Sequence, residues 1–142
     1  MIVNLTPHPI TLRAADGADH TFPSSGVARV ASTPGTLATV DGLPVPVATP
    51  TTFGEVSGLP APSQYGSLLD YEQALHEHEV GACAHPGTAP GTFFVVSALV
   101  GAALRASGST RTDALCPGTG PNDGAVRNEA GHIVAVTRLV RP

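Results

Sequence analysis

The hydrophobic positions of this chain fall in short runs separated by Gly, Pro and Asp-Gly, a pattern typical of β-strands joined by tight turns. The runs predict strands at 2–12, 21–22, 26–31, 53–56, 92–96 and 113–116, and a final hairpin of 125–127 with 132–140. Pro7 and Pro9 interrupt the first run. Because proline cannot donate to a neighbouring strand, this run is either an edge strand or two strands separated by a rigid kink.

The clearest predicted hairpin joins residues 37–40 to residues 43–47. Between them lies Asp41-Gly42, the dipeptide that two-residue type I′ turns favour. Pro44 and Pro46 fall on one face of the second strand, so we expect that strand to be an edge strand.

Two segments predict helices. Residues 67–79 begin with an N-cap serine, Ser67, and Asp70 follows three positions later. Leu68, Tyr71 and Leu75 then keep the i, i+3, i+7 spacing of a helix face. Residues 97–106 predict a second helix that is too apolar to be mostly exposed. We therefore expect a single α+β domain over 1–142, built as a mainly antiparallel β-sheet or a small open β-barrel with one or two short helices.

Composition narrows the function classes. With 142 residues, of which 42% are hydrophobic, the chain can form the core of one domain. The formal net charge is −4 and the seven cationic side chains are all arginine, which argues against nucleic acid or an anionic membrane as a partner. The lack of lysine excludes Schiff-base chemistry on lysine, a pyridoxal-phosphate lysine and a P-loop.

The chain carries no recognisable targeting segment. Residues 1–4 lack the basic region of a signal peptide, and the longest apolar run, 93–104, is shorter than the roughly 20 residues that span a bilayer. We therefore expect a cytoplasmic protein without a membrane partner. In that compartment Cys83 and Cys116 are expected to be free thiols.

Several segments could bind a ligand. In Thr6-Pro7-His8-Pro9, two prolines fix the backbone around an imidazole, which suits binding or general-base catalysis. Phe53-Gly54-Glu55 offers a ring for stacking and a carboxylate acceptor, a combination that fits a polar cyclic ligand. Each segment could equally be an ordinary surface strand or turn.

Anion-binding groups are also present. Ser97 begins the second predicted helix, where it acts as an N-cap and where free amides could receive an anion. Arg29, Arg127 and Arg138 lie on predicted strands and could hold a phosphate or carboxylate, although a single arginine there is more often structural.

A cluster of soft ligands lies between residues 76 and 85. It contains His76, His78, Cys83 and His85, and zinc accepts such side chains. On a helix His76 and His78 point roughly 200° apart, so they cannot both bind one metal. His78, Cys83 and His85 could bind one around a loop, and the alternative is a solvated helix end that runs into a loop.

The opening Asn4-Leu5-Thr6-Pro7-His8 resembles a group of small phage, prophage and bacterial proteins that begin in this way. The likeness continues at 42–45, 53–60, 95–100, 117–118, 126–128 and 138–139, and so covers most of the chain. Residues 63–91 depart from the pattern and look like an insertion. The resemblance implies no established activity, but its blocks direct attention to Asn4, Thr6, His8, Glu55, Ser97 and Arg127.

These observations favour a small-molecule binding module rather than an enzyme, with no cofactor and no metal. Its ligand would be small, polar or phosphate-bearing and nucleotide-like. The resemblance suggests a phage-type anti-defence protein that sequesters a nucleotide immune signal, in the host cytoplasm if a phage encodes it, and a homo-oligomer fits this role. The residues expected to bind the ligand are Asn4, Thr6, His8, Arg29, Phe53, Glu55, Ser97 and Arg127.

Two alternatives stay open. One is a small hydrolase that uses His8 as general base with Glu55 orienting it, or a metal at His78, Cys83 and His85. The other is an inhibitor that binds a partner protein through an edge strand such as 44–47.

Overall fold

The computed structural model describes all 142 residues. Twelve short strands and two helices follow one another along the chain: β1 Ile2–Asn4, β2 Ile10–Arg13, β3 Asp19–Phe22, β4 Arg29–Thr33, β5 Leu37–Ala38, β6 Val47–Ala48, β7 Thr52–Ser57, α1 Leu68–Glu79, β8 Phe93–Val95, α2 Ala98–Ala106, β9 Ala114–Pro117, β10 Val126–Arg127, β11 Ile133–Ala135 and β12 Leu139–Val140.

The central sheet has the order β1-β8-β9-β12. β8 is its most buried strand, because Val95 is fully buried and Phe94 is nearly so. β1 and β9 pair with β8 in parallel, and α2 provides the crossover that a parallel β8–β9 pair requires. β12 returns antiparallel to β9, pairing Val140 with Cys116.

The core lies between this sheet and α2. Its buried residues are Leu5, Ala28, Phe94, Val96, Val100, Leu104, Ala114 and Cys116. Gly101 permits the close approach of α2 to β9, since a Cβ at this position would come within 2.3 Å of the Cys116 Sγ. Val30 and Val56 of the β4–β7 pair cover another side of the core.

The remaining strands form two-stranded ribbons: β2–β3, β4–β7, β5–β6 and β10–β11. All four ribbons are antiparallel, as is the β9–β12 pair, and no sheet closes into a barrel. The predicted α+β class with mostly antiparallel strands is therefore confirmed. The first apolar run is two strands, β1 and β2, because the segment with Pro7 and Pro9 separates them. The predicted strand at 132–140 is also two strands, since the chain leaves β10 after β11 and joins β9 as β12.

The hairpin at Asp41-Gly42 forms, but its predicted turn type is wrong. Gly42 has φ +85°, whereas no residue other than glycine has a positive φ, so Asp41 cannot adopt the type I′ geometry. A positive φ at the second central position alone fits a type II turn, whose twist splays the strands. The ladder accordingly starts only at Ala38 and Val47.

Both helices lie where the sequence predicts them. The Ser67 Oγ caps α1 by accepting from the Asp70 N–H at 3.2 Å, yet α1 buries no residue. α2 buries Val100, Gly101, Ala103 and Leu104, as its apolar sequence requires. Neither helix is long and apolar enough to cross a membrane.

Candidate functional site

Asn4 fixes the proline-framed segment at the start of the chain. It ends β1 and is only 1% exposed. Its Nδ2 donates to the main-chain oxygens of His8, at 2.9 Å, and Phe22, at 3.0 Å. Its Oδ1 accepts from the Thr6 N–H at 2.9 Å and lies 2.7 Å from the Thr6 hydroxyl. Both amide N–H groups and one acceptor position of Asn4 are thus used inside the protein, and the Thr6 hydroxyl fills the other when its proton points to Oδ1, so Asn4 positions the segment rather than a ligand.

Thr6 has the same supporting role. Its buried hydroxyl lies between Asn4 Oδ1 and the His8 oxygen, 2.9 Å away, and its single proton serves one of the two acceptors at a time. Its own carbonyl accepts from the Ser24 hydroxyl at 2.6 Å. The next residue but one, His8, is exposed, and its ring makes no hydrogen bond within the protein. The segment is therefore a fixed turn that presents a free imidazole.

Immediately after this turn, the chain forms one wall of a hollow of about 240 Å³, which we call the β2–β11 hollow. Residues 9–11 line one side of the hollow. The other side is lined by β11 and the residue after it, 133–136, and Pro117 and Thr119 close the remaining part of the wall. Its walls are mainly apolar, and the Thr11 and Thr119 hydroxyls add polar groups. This volume is just below the roughly 300–1,000 Å³ of drug-sized ligand sites, so it fits a single ring.

The hollow exists because β2 and β11 are joined at only one end. Val136 N–H donates to the Thr11 oxygen and Arg13 N–H donates to the Val136 oxygen, both at 2.9 Å. Leu12 and Val136 form an isolated parallel bridge, and the ladder does not continue toward Ile10. The other edges of the two strands pair with β3 and β10, so the gap between them lies in the middle of four strands.

Two arginines lie close to this hollow and differ in their partners. Arg13 is bound to Asp19 through Nε–Oδ1 and Nη2–Oδ2 contacts of 2.7 and 2.8 Å. This hydrogen-bonded pairing lowers the pKa of the Asp19 carboxyl and occupies the Arg13 guanidinium. Arg138 has no acidic partner, and its stem covers Gly118, where a Cβ would meet the Arg138 Cγ at 2.7 Å. Because Gly118 lies between Pro117 and Thr119, the stem of Arg138 packs next to two residues of the hollow.

Ser97 and Arg127, two of the predicted ligand residues, have local structural contacts. The Ser97 Oγ accepts from the Val100 N–H at 3.4 Å and caps α2. Arg127 Nη1 donates to the Gly131 oxygen at 2.8 Å and closes the turn between β10 and β11.

A bulge separates Phe53 from Glu55. From Val30 to Ser32, β4 advances two residues while β7 advances three, from Val56 to Phe53. The extra residue reverses the alternation of β7, so Phe53 and Val56 are half-buried and Glu55 is exposed. Phe53 lines a different hollow beside α2, together with Ala103 and Ala106. The ring and the carboxylate therefore do not form the expected combined ligand site. Arg29 is exposed at the start of β4 and has no partner.

The soft ligands at 76–85 do not assemble a metal site, because no three His, Cys, Asp or Glu side chains come close enough together. His78 Nδ1 lies 3.0 Å from the Cys83 oxygen, and His85 Nδ1 accepts from the Gly87 N–H at 3.0 Å. The Cys83 Sγ faces the Ala74 oxygen at 3.6 Å, where it is turned toward α1. The metal-dependent alternative is therefore not supported.

Within one chain, the predicted ligand residues do not converge on one cavity. Thr6, His8, Glu55, Ser97 and Arg127 line none of the five principal hollows. Of the eight predicted residues, His8 carries the free side chain that comes directly before the wall of the β2–β11 hollow in sequence, next to Pro9. Arg138 was not among the eight, although its position in the resembling Arg138-Leu139 block and on a predicted strand was a signal for it.

Comparison with known proteins adds no identification, since no protein family, curated protein or solved structure matches the chain.

Proposed function

We propose that this protein is a small-molecule binding module whose ligand occupies the β2–β11 hollow. The observation that carries the proposal is one mainly apolar hollow whose wall begins at Pro9, directly after the fixed turn of His8, and whose residues Pro117 and Thr119 flank the glycine against which the stem of Arg138 packs. The turn that carries His8 is already fixed by Asn4, so binding costs little ordering of this segment.

The ligand class follows from these groups. A flat ring fits a hollow of about 240 Å³ with Pro, Ile and Val walls, while Arg138 and His8 suit a phosphate at its edge. A nucleotide-like molecule has both parts. With the resemblance to phage proteins, this favours sequestration of a nucleotide signal as the biological role.

Binding without turnover is favoured over hydrolysis. A general base of the His8 type needs a group to orient it, and Glu55 makes no hydrogen bond to His8 or to any other residue. The acidic group that is close to β2, Asp19, is bound to Arg13.

The test is thermal unfolding with a panel of mono-, di- and cyclic nucleotides. A ligand present at about 100 times its Kd should add about 2.7 kcal/mol to the free energy of unfolding, and it should be recovered chemically intact. Arg138→Ala should lose most of this gain. Arg29→Ala is the matched control, because Arg29 is also exposed and unpaired but lies on β4. The proposal fails if no nucleotide stabilises the protein, or if the two variants respond alike.

A second candidate function is self-association through the β5–β6 arm, which we define as residues 36–49. Its large apolar side chains are exposed, Leu37 by 70% and Val45 by 63%. The arm has a single charge, Asp41, and a two-stranded ribbon of this length is marginal by itself.

The hydrogen-bonding pattern determines which edge of the arm can pair. Thr49 N–H donates to the Thr36 oxygen at 2.9 Å, so the alternating main-chain groups of Leu37 and Thr39 face outward. The opposite edge has Pro44 and Pro46, which provide no donor. Both strands of this isolated ribbon are edge strands, and the β5 edge, which keeps its outward donors, is the one proposed to pair in place of 44–47. Its uncharged sequence fits a second copy of itself, with a two-fold axis at Ala38 that pairs Leu37 with Thr39 of the second copy.

Light scattering across a wide concentration range tests this association. Thr39→Pro removes an outward donor and Leu37→Glu brings like charges together, so each should weaken the dimer by about tenfold or more. Leu69→Glu is the matched control on α1, where the leucine is 73% exposed. A monomer at every concentration, or equal weakening by the control, contradicts this function.

A further inference from the structure

A second hollow lies at the edge of the central sheet where β1 and β8 begin, and its walls are polar rather than apolar. It has a volume of about 390 Å³, and eight of its nine wall residues are not hydrophobic. We call it the Thr92 hollow, after the residue that precedes β8. Ser63, Thr110 and Thr112 contribute further hydroxyl groups to its walls.

Thr92 has the only buried side-chain polar atom in the protein that lacks a hydrogen-bond partner. The residue is 6% exposed, and its Oγ1 contacts neither a donor nor an acceptor. Buried hydroxyls in folded proteins are nearly always bonded, and an exception calls for a missing partner. Thr92 lies in the wall of this polar hollow and also of the one beside Met1 and Tyr71, and its Oγ1 has almost no surface exposed, so a bound molecule becomes its partner only when the wall shifts to uncover it.

The ion pair between Arg111 and Asp113 lies in the wall of the Thr92 hollow. Arg111 Nε and Nη2 donate to the two oxygens of Asp113 at 2.9 and 2.7 Å, and both side chains are mostly buried. The Arg111 guanidinium also lies 5.8 Å from the centre of the Phe94 ring. The pair therefore holds one geometry, in which Arg111 Nη1 is left as a donor and the Asp113 oxygens can accept further hydrogen bonds.

An aromatic side chain completes the wall. Phe93 is 40% exposed although it belongs to the central sheet. An exposed ring beside paired charges and hydroxyls can cover an apolar C–H face of a ligand while the polar groups bind its hydroxyls.

From these contacts we infer that the Thr92 hollow binds the ring of a sugar. The neutral Arg111–Asp113 pair gives no net attraction for an anion, and the Asp113 carboxylate repels one. A hydroxyl group, in contrast, can donate to Asp113 and accept from Arg111. Vicinal hydroxyls on one ring match this alternation, and the Thr92 hydroxyl can bond a third once the wall shifts to uncover it. This site is separate from the β2–β11 hollow and does not depend on the function proposed for it.

Saturation-transfer NMR with D-ribose, D-galactose and adenosine tests the inference and separates a free sugar from the ribose of a nucleoside. We expect transfer to the ring protons of at least one of the three. Thr92→Val keeps the shape of the side chain and removes the hydroxyl, so it should weaken binding by about fivefold, the loss of one hydrogen bond. Asp113→Asn should weaken it further.

Two controls keep this test decisive. Thr33→Val, at an exposed position of β4, should leave the signal unchanged, and so should Arg29→Ala, which removes an exposed cation from the same strand. If Thr92→Val lowers the unfolding temperature, the comparison uses Asp113→Asn and Phe93→Ala at a temperature where both are folded. The inference is overturned if none of the three probes receives saturation, if Thr92→Val and Asp113→Asn bind as the unmodified protein does, or if adenosine alone gives a signal and Arg138→Ala weakens it.

Discussion

Two regions of this chain use apolar side chains in opposite ways. All 18 buried residues lie in 4–28 and 86–136, which together with the chain ends we call the inner region. None lies in 29–85, the outer region, although it contains four strands, β4 to β7, and α1. In the outer region Leu37, Val45 and Leu69 are mostly exposed.

The two helices show what causes the difference. α2 follows a buried strand and has small residues, Gly101 and Ala103, on the side that meets the sheet. α1 has an equally good N-cap but presents acidic, amide and imidazole side chains around most of its circumference. Both helices thus have good local signals in the sequence. Only α2 also has an apolar face whose small residues allow another element to pack closely against it.

The largest expected effect comes from breaking the inner region at Asn4. Asn4→Ala removes the side chain's four contacts, so the Phe22 oxygen loses this donor and the His8 oxygen keeps only the Thr6 hydroxyl. We expect a loss of about 3 kcal/mol in the free energy of unfolding, measured by urea denaturation. Asn128→Ala is the control, because Asn128 is exposed and accepts a single bond from His132 N–H. Its cost should be below about 1 kcal/mol, and an equal loss in both variants would contradict the role given to Asn4.

These contacts also show what sequence reasoning could reach. Helix α1 was predicted within one residue, because its N-cap is a contact between neighbours in sequence. The β2–β11 hollow could not be predicted, since it depends on how strands more than 120 positions apart fail to continue one ladder. Asn4 was predicted as a ligand residue because the sequence does not show that its amide is already satisfied by the main chain.

The next largest effect on the free energy of unfolding is expected from replacing one glycine in each region by alanine. Gly101→Ala would bring a Cβ within 2.3 Å of the Cys116 Sγ, so we expect a loss of about 1–3 kcal/mol despite the better helix propensity of alanine. Gly66 has open space around it and no positive φ, so Gly66→Ala should be neutral or slightly stabilising. Cys116→Ala in the Gly101→Ala background should restore part of the loss. Additive effects of these two changes would show that the contact does not limit packing.

A smaller difference in stability between the two regions is expected when the N-cap serine of each helix is removed. Ser97→Ala removes the N-cap of α2 and should lower global stability by about 1 kcal/mol, because α2 unfolds with the core. Ser67→Ala should cost a similar amount within α1 alone, since α1 buries nothing. Amide hydrogen exchange should therefore accelerate in residues 68–79 while the denaturation midpoint stays unchanged. A lower midpoint for Ser67→Ala would mean that the outer region is coupled to the core.

The smallest effect concerns the two cysteines, one in each region. Cys83 is exposed and Cys116 is buried, and burial raises the pKa of the Cys116 thiol. Above about pH 8.5 an unfolded chain loses this proton while the folded chain keeps it. The contribution of Cys116 to stability is thus fully present below that pH and declines as the pH rises through the raised value. Urea denaturation from neutral to alkaline pH should show a shallower decline for Cys116→Ala than for Cys83→Ala. Equal slopes for the two variants would show that burial does not hold the Cys116 proton in the folded chain, and that the inner region is open to water beside β9.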